Sequence, residues 1–524
     1  MGLLFVGARV LTGDPERPEA EAVWVEGDRI RAVGPESVLR RMASPAPEVI
    51  DGTGATLLPG FIDAHVHLAL LGGQLNGVAL KPLRSVAAVR EAVRARAAAT
   101  PPGTWIRGFG YNQLWLAERR HPTRDDLDPV SPRHPVLLTR TCGHIAVANT
   151  AALRAAGLAE REPDPPGGRF GRRPDGTLDG VLYDQALEAV QTVSRPGPEE
   201  LRRDLAQAGR VLAEAGVVSV HDAGGPPDYF PTLIAAVDAG DVPQTVHAMV
   251  WNGLGIRQLD AFLPAGLATG FRRGRVVLGA AKVMVDGSSS GPTAATREGY
   301  AHDPADHGIL YLGAEALEAV LGRAAALGFQ ITTHAVGDRA VALAAEVIGR
   351  VGRPERRPRI EHAAMCPPDL VPALAAAGIT PVAQPRFLVE FGDGYVEHYG
   401  PERGARLFPL ASWLKAGLRV AGSSDSPVAD WRPLRGVAAA MTRRTTAGRV
   451  LAPEERLDFP AALALYTQHA AWVGFEEAER GRIAPGFAAD LVLVEGDLPR
   501  MAPDEIAEVP VRLTVIGGTV VFGR

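Results

Sequence analysis

Short apolar runs recur through the middle of the chain, at residues 60–68, 217–223, 244–251, 276–286, 329–337, 359–365, 379–384 and 419–425, with alanine-rich stretches of helical character between them. Strand-like runs that alternate with helices predict a parallel sheet with crossover helices. The runs number eight, which is the count that closes a (β/α)8 barrel. The stretches 314–327 and 338–351 are rich in helix formers and lead into or out of strands, as crossovers should.

The two ends have a different texture. Residues 3–11, 22–26, 29–33 and 48–58 are short β-prone segments broken by Gly, Asp or Pro, and the same texture returns at 490–494 and 511–522. β-rich ends around a different middle predict that the termini meet in one small β-sandwich domain, residues 1–57 with 482–524, beside a barrel of residues 58–481. About 150 residues separate the first and second runs, far more than one crossover needs. An insertion at about 85–200 is expected there, with a strand of its own around 135–142 and a loop at Glu162-Pro163-Asp164-Pro165-Pro166-Gly167-Gly168. The expected fold class is therefore α/β: a TIM barrel, a β-sandwich domain built from both termini, and an insertion after the first barrel strand.

Composition narrows the functional classes. The 524 residues are 46% hydrophobic and 22% charged, ordinary for a folded protein, and a net charge of −5 excludes an overall basic nucleic-acid footprint. The two cysteines, Cys142 and Cys366, are too few for a disulfide framework, which favours a reducing compartment. No basic region precedes the apolar start, and no apolar run reaches about 18 residues. The expectation is a cytoplasmic protein with no membrane or nucleic-acid partner.

One cation stands out. Lysine and arginine together number 55, only three are lysines, and one of these, Lys282, lies inside the apolar run Val276 to Asp286. A chain that uses arginine almost everywhere yet keeps a lysine in a buried strand suggests that the amine itself is needed, since an ammonium can lose its proton when desolvated and a guanidinium cannot. It could instead be a barrel lysine paired with Asp286 or another carboxylate. In Phe61-Ile62-Asp63-Ala64-His65-Val66-His67, the strand period of two puts both imidazoles on one side, where they can hold one ion or simply face solvent. His334, His362 and Asp425 each follow a strand as well. Taken singly, each could be a hydrogen-bonded core group or a turn cap. Together the candidates fall at the C-terminal ends of strands one, four, five, six and eight, the face on which this architecture assembles active sites.

These residues resemble the amidohydrolase superfamily, specifically its YtcJ-like (amidohydrolase-3) branch, which includes N-substituted formamide deformylases. The resemblance runs from Leu58-Pro59-Gly60-Phe61-Ile62-Asp63-Ala64-His65-Val66-His67 to Ile483-Ala484-Pro485-Gly486-Phe487-Ala488-Ala489-Asp490, and residues 282–287, 334–340 and 422–427 match family motifs in order. It implies that His65, His67 and Asp425 hold one divalent metal and His334 and His362 a second, bridged by a carbon dioxide-derived carbamate on Lys282. It also implies homodimerisation. Imidazole and carboxylate ligands suit zinc, with manganese, cobalt, nickel and iron open on ligand type. The implied reaction is hydrolysis of an amide-type C–N bond by a hydroxide shared between the metals, with Asp425 as proton shuttle and a small amide, such as an N-substituted formamide, as substrate. The chain departs from the family pattern at Thr141-Cys142-Gly143-His144, where Asp-Gly-His is expected. Cys142 is there a reactive thiol or a small buried filler.

Tyr111, Trp115, His144 and Arg386 are candidate substrate-binding residues, because insertions and βα loops line the mouth of such barrels. Two other readings compete. One is a mononuclear-metal deaminase or cyclic amide hydrolase, and the other is a catalytically inactive binding or regulatory homologue.

Overall fold

The structure is a computed structural model that describes residues 2–43, 47–225, 229–253, 256–262 and 264–523. Eight parallel strands form the barrel wall in chain order: Phe61–Val66, Val217–Asp222, Thr245–Gly253, Val276–Met284, Ile331–Ala335, Arg359–His362, Thr380–Ala383 and Ala421–Gly422. Each falls within, or within two residues of, its predicted run. The first and eighth strands close the ring through side chain and loop. Asp63 accepts hydrogen bonds from the Ser424 N–H at 3.0 Å and the Ser424 hydroxyl at 2.5 Å, and the Asp425 N–H donates to the His65 carbonyl at 2.8 Å.

Helices Ala314–Ala326 and Asp338–Val351 lie where their composition placed them. On the second, Val341, Ala344, Ala345 and Ile348 are buried. That spacing is a single helical face turned to the sheet, and burial of Val341 and Ile348 contributes roughly 1.5–3 kcal/mol each.

The ends do meet. A four-stranded sheet (residues 29–34, 22–26, 2–6, 48–51) faces a six-stranded one (519–522, 511–516, 491–495, 55–59, 9–11, 19–20). Leu3, Phe5, Val23 and Val25 of the first sheet share a core with Leu57, Leu491, Leu493 and Leu513 of the second. Alternation does the rest: Leu58, Val492 and Val494 point the other way and join the barrel core, so the central strands Ala55–Pro59 and Leu491–Glu495 are buried on both faces.

The insertion carries more than the one strand expected near 135–142. A six-stranded sheet spans Val78 to Asp184 and includes Ile106–Tyr111, Val136–Arg140 and Ile145–Ala148. Its opening strand, Val78–Ala79, is two residues long, too short for an apolar run to mark it. Segments such as Gly168–Arg172 mix glycine and arginine, so apolar runs do not reveal them. No helix among the described residues is long and apolar enough to cross a membrane.

Candidate metal centre

Ladder register brings the predicted ligands on the fourth, fifth and sixth strands within two residues of one level. Lys282 pairs with Thr332 and Met284 with His334 across the fourth and fifth strands, and His334 and Ala335 pair with Glu361 and His362 across the fifth and sixth. His65 is on the first strand, and His67 precedes helix Leu68–Asn76. Asp425 lies three residues beyond the eighth strand. Two of these positions are held in left-handed backbone, His362 at φ 72° and Asp425 at φ 53°. A non-glycine residue there costs of order 1–3 kcal/mol and persists where the surroundings impose it.

His65 Nε2 and His67 Nε2 lie 3.3 and 3.2 Å from the same oxygen, Asp425 Oδ1. With the three donor atoms within 4.8 Å of one another, this is a group able to take a metal ion. The spacing fits one ion: tetrahedral ligands at about 2.0–2.1 Å lie about 3.3 Å apart. Electrostatics agrees. His65 Nδ1 makes a short hydrogen bond to Glu361 Oε2, so the neutral imidazole carries its proton on Nδ1 and a lone pair on Nε2. That lone pair faces a carboxylate oxygen. Burial and the Lys282 charge pull His65 down, but Glu361 and Asp425 outweigh them and raise it above its ordinary value, so positive charge, whether a proton or a metal ion, is favoured between Nε2 and Asp425.

Glu361 is itself fixed on all sides. Arg359 Nε approaches its Oε1 at 2.7 Å, Arg359 Nη2 donates to Oε2 at 3.0 Å, and the Thr332 hydroxyl donates to Oε1 at 2.6 Å. Burial pushes the Glu361 carboxyl up, but the charges of Arg359, His65 and Lys282 outweigh it and hold it well below the usual range. For Asp425, burial is likewise outweighed by His65 and His67. Burial pulls His67 and His362 down to about 4, and His334 well below its ordinary value, leaving neutral imidazoles as ligation demands.

His334 and His362 form a second pair, ring centroids 4.6 Å apart, with His362 also 5.2 Å from the ring of His65. His334 Nε2 donates to the Gly287 carbonyl at 3.0 Å, which leaves Nδ1 with a lone pair, and His362 Nδ1 donates to Gln384 Oε1 at 2.8 Å, which leaves Nε2. Between the two pairs stands Lys282. Its Nζ is 3.2 Å from His65 Nε2 and 5.5 Å from the ring centroid of Trp251. Among the described residues no carboxylate lies within salt-bridge distance of it. Asp286 is occupied otherwise, accepting from the backbone N–H groups of Ala295, Val336 and Gly337 at 2.9 Å each. Burial pulls the Lys282 ammonium below its ordinary value against the opposing pull of Glu361 and Asp425.

A cavity of about 320 Å³ opens onto these groups, bordered by His67, Lys282, His334, His362 and Asp425, and by Cys142 and His144 from the insertion. His144 Nδ1 meets Asp184 Oδ1 and the Tyr311 hydroxyl, each at 3.2 Å, and its ring centroid is 5.8 Å from that of His334. Of the four substrate-binding candidates, the structure brings His144 to the cavity. Tyr111 is buried in the insertion with its hydroxyl 3.0 Å from His121 Nδ1. Trp115 stacks on Phe391, and Arg386 pairs with Glu390. Sequence reasoning missed Glu361, Gln384 and Asp184. Only Glu361, directly before His362, offered a signal.

Comparison with known proteins agrees with this geometry. The family model described as "Amidohydrolase family" matches residues 48–522. The chain is 29% identical over 538 residues to the protein YtcJ of Bacillus subtilis, covering 100% of both chains. It is also 29% identical over 551 residues to the N-substituted formamide deformylase of Arthrobacter pascens, covering 100% of this chain and 98% of that one. An uncharacterized metal-dependent hydrolase from Pyrococcus horikoshii superposes with a TM-score of 0.81 at 26% identity, over 96% of this chain and 99% of that one.

Proposed function

The chain belongs to the amidohydrolase family, and on that basis we propose that it is a binuclear metal hydrolase that cuts the C–N bond of an N-substituted formamide or another small amide. The observation that carries this reading is the pair of imidazole nitrogens converging on one oxygen of Asp425 at 3.2 and 3.3 Å. In this reading His65, His67 and Asp425 hold one divalent ion, His334 and His362 the second, and Lys282 serves both as a carbamate. Zinc is the first candidate on ligand type. A buried amine without a carboxylate partner supports the carbamate: the ammonium gives up a proton, the neutral nitrogen adds to the carbon of carbon dioxide, and a second proton leaves, so that an isolated buried cation would be replaced by an anion able to ligate metal.

When bound, such ions supply Lewis acidity toward a carbonyl oxygen and acidify water near neutral pH. The chain's own residues do the rest. Asp425, whose carboxyl is held ionised, accepts the proton of the attacking water and delivers it to the departing amine. Glu361 and Gln384 hold His65 and His362 with a lone pair facing inward. His144, anchored through Nδ1, presents its other nitrogen to the substrate. Leu70, Phe109, Leu137, Phe387 and Phe408 also border the cavity, so an apolar N-substituent fits.

The test is elemental analysis of protein purified without chelator, followed by hydrolysis assays on formamides, amides, lactams and carbamates before and after metal removal. Two ions per chain and activity that returns with metal are expected. Activity indifferent to metal, or metal-loaded protein inert on the whole panel, would refute the proposal. A single ion would favour the mononuclear reading, which the three-donor group His65, His67 and Asp425 could serve alone.

A further inference from the structure

The cavity continues past the imidazoles. Helix Leu68–Asn76 begins directly after His67, and its residues Ala69, Leu70, Gly73 and Gln74 all border the cavity. Such spacing is one face of a helix, so the cavity follows that face away from the metal centre. At about 1.5 Å per residue, Gly73 stands about 9 Å along the axis from His67.

There the wall turns from apolar to polar. Asp204, on helix Pro198–Glu214, is 6% exposed and borders the cavity. Its Oδ1 accepts from the Asn76 side chain at 2.7 Å, while its Oδ2 receives no hydrogen bond among the described residues. A Cβ added to Gly73 would lie 3.5 Å from that Oδ2, so the free oxygen sits beside the bare glycine at the cavity wall. The position is set by Gly72, where a Cβ would come within 1.8 Å of the Asp204 carbonyl oxygen; only glycine lets the two helices cross this closely. Gln74 Oε1, at the same end, is buried without a hydrogen-bond partner. Arg107 does not answer them, since its guanidinium donates to Glu200 at 2.6 Å and to the Ser194 carbonyl at 2.5 Å.

A buried acceptor without a donor, as Gln74 Oε1 is, is a standing cost unless a ligand or water supplies N–H or O–H groups, and Asp204 Oδ2 at the cavity wall has no donor of its own among the described residues. Burial raises the Asp204 carboxyl to about 6, so it remains mostly ionised above neutral pH. We propose that this end of the cavity, reached along the helix that begins after His67, is a subsite for a protonated amine on the substrate, received by Asp204 Oδ2 and Gln74 Oε1. The substrate class is then an amide whose N-substituent has an apolar middle and a cationic end. This rests on reading the near end as an amide-hydrolysing centre.

Two measurements test it on the metal-loaded protein at about pH 8, where alkylamines are protonated. The first compares kcat/KM for N-(aminohexyl)formamide and N-heptylformamide. Wild type should favour the amine at least tenfold, and Asp204→Asn should bring the ratio near one. The second is calorimetry with hexylammonium alone, whose affinity should fall at least tenfold in Asp204→Asn and also fall in Gln74→Leu, which guards against a folding defect in the first variant. Equal ratios in wild type and variant, or equal hexylammonium binding, would overturn the subsite. If neither formamide is hydrolysed the proposed function fails, and the calorimetric comparison still decides this inference.

Discussion

Replacing Glu361 by glutamine changes one atom and should disable a ligand that it never replaces. The carboxylate accepts from His65, Arg359 and Thr332, so every lone pair facing these donors is used. An amide in its place offers one oxygen and one NH₂ group. If the NH₂ turns toward His65, the imidazole must accept at Nδ1 and carry its proton on Nε2, where ligation needs the lone pair. If it turns toward Arg359, two donors collide and the buried guanidinium loses its carboxylate. Loss of such a partner typically costs 10–100-fold in metal affinity, about 1.4–2.7 kcal/mol. Stranding one member of a buried ion pair costs about 3–5 kcal/mol of stability. The assay is competitive zinc titration of Glu361→Gln against wild type, with Glu361→Asp as a partial rescue and denaturant midpoints recorded in parallel. Zinc affinity within twofold of wild type, with an unchanged midpoint, would refute the claim that Glu361 sets the His65 tautomer.

Lys282→Ala should lose bound metal and hydrolytic activity, with partial return on adding acetate or propionate, which can take the place of the carbamate; full activity with two metals retained would end the bridging role. Lys282→Arg keeps the charge yet cannot form the carbamate, so it should not rescue either property. At the surface of the barrel, burial raises the Asp430 carboxyl, but hydrogen bonds from Arg432 and the charge of Arg435 outweigh it and hold it at about 2. The folded state thus binds this proton less tightly than the unfolded chain, whose ordinary value is 3.8. The resulting stability, about 2 kcal/mol, is complete above that value and lost as pH falls toward 2. Asp430→Asn should therefore lower the denaturant midpoint at neutral pH and narrow the gap to wild type near pH 2, and parallel curves over that range would contradict the assignment.

Much of the architecture is legible in the amino-acid sequence. A strand that is buried on both faces reads as a continuous apolar run, and eight such runs separated by helices admit few closures. His65, His67, Lys282, His334, His362 and Asp425 were visible because each follows or sits in such a run, and the barrel delivers strand ends to one face. The paired β-rich ends likewise announced a shared sandwich, since alternation at Leu57 and Leu58 or at Leu491 and Val492 is a local property.

What required the tertiary structure was everything that depends on distance between segments remote in sequence. Beside the expected strand at Val136–Arg140, the sheet of the insertion takes in glycine-containing strands, Ile106–Tyr111, Gly168–Arg172 and Leu178–Asp184, and the two-residue Val78–Ala79, which no continuous apolar run marks. Tyr111, Trp115 and Arg386 carry the right chemistry for a cavity wall, yet packing against His121, Phe391 and Glu390 uses them elsewhere. Glu361 and Asp184 are ordinary acids in the sequence, and only the fold sets one against His65 and the other against His144. Side-chain identity declares which chemistry is available. Direction, protonation and the left-handed turns at His362 and Asp425 are decided by contacts that no local pattern encodes.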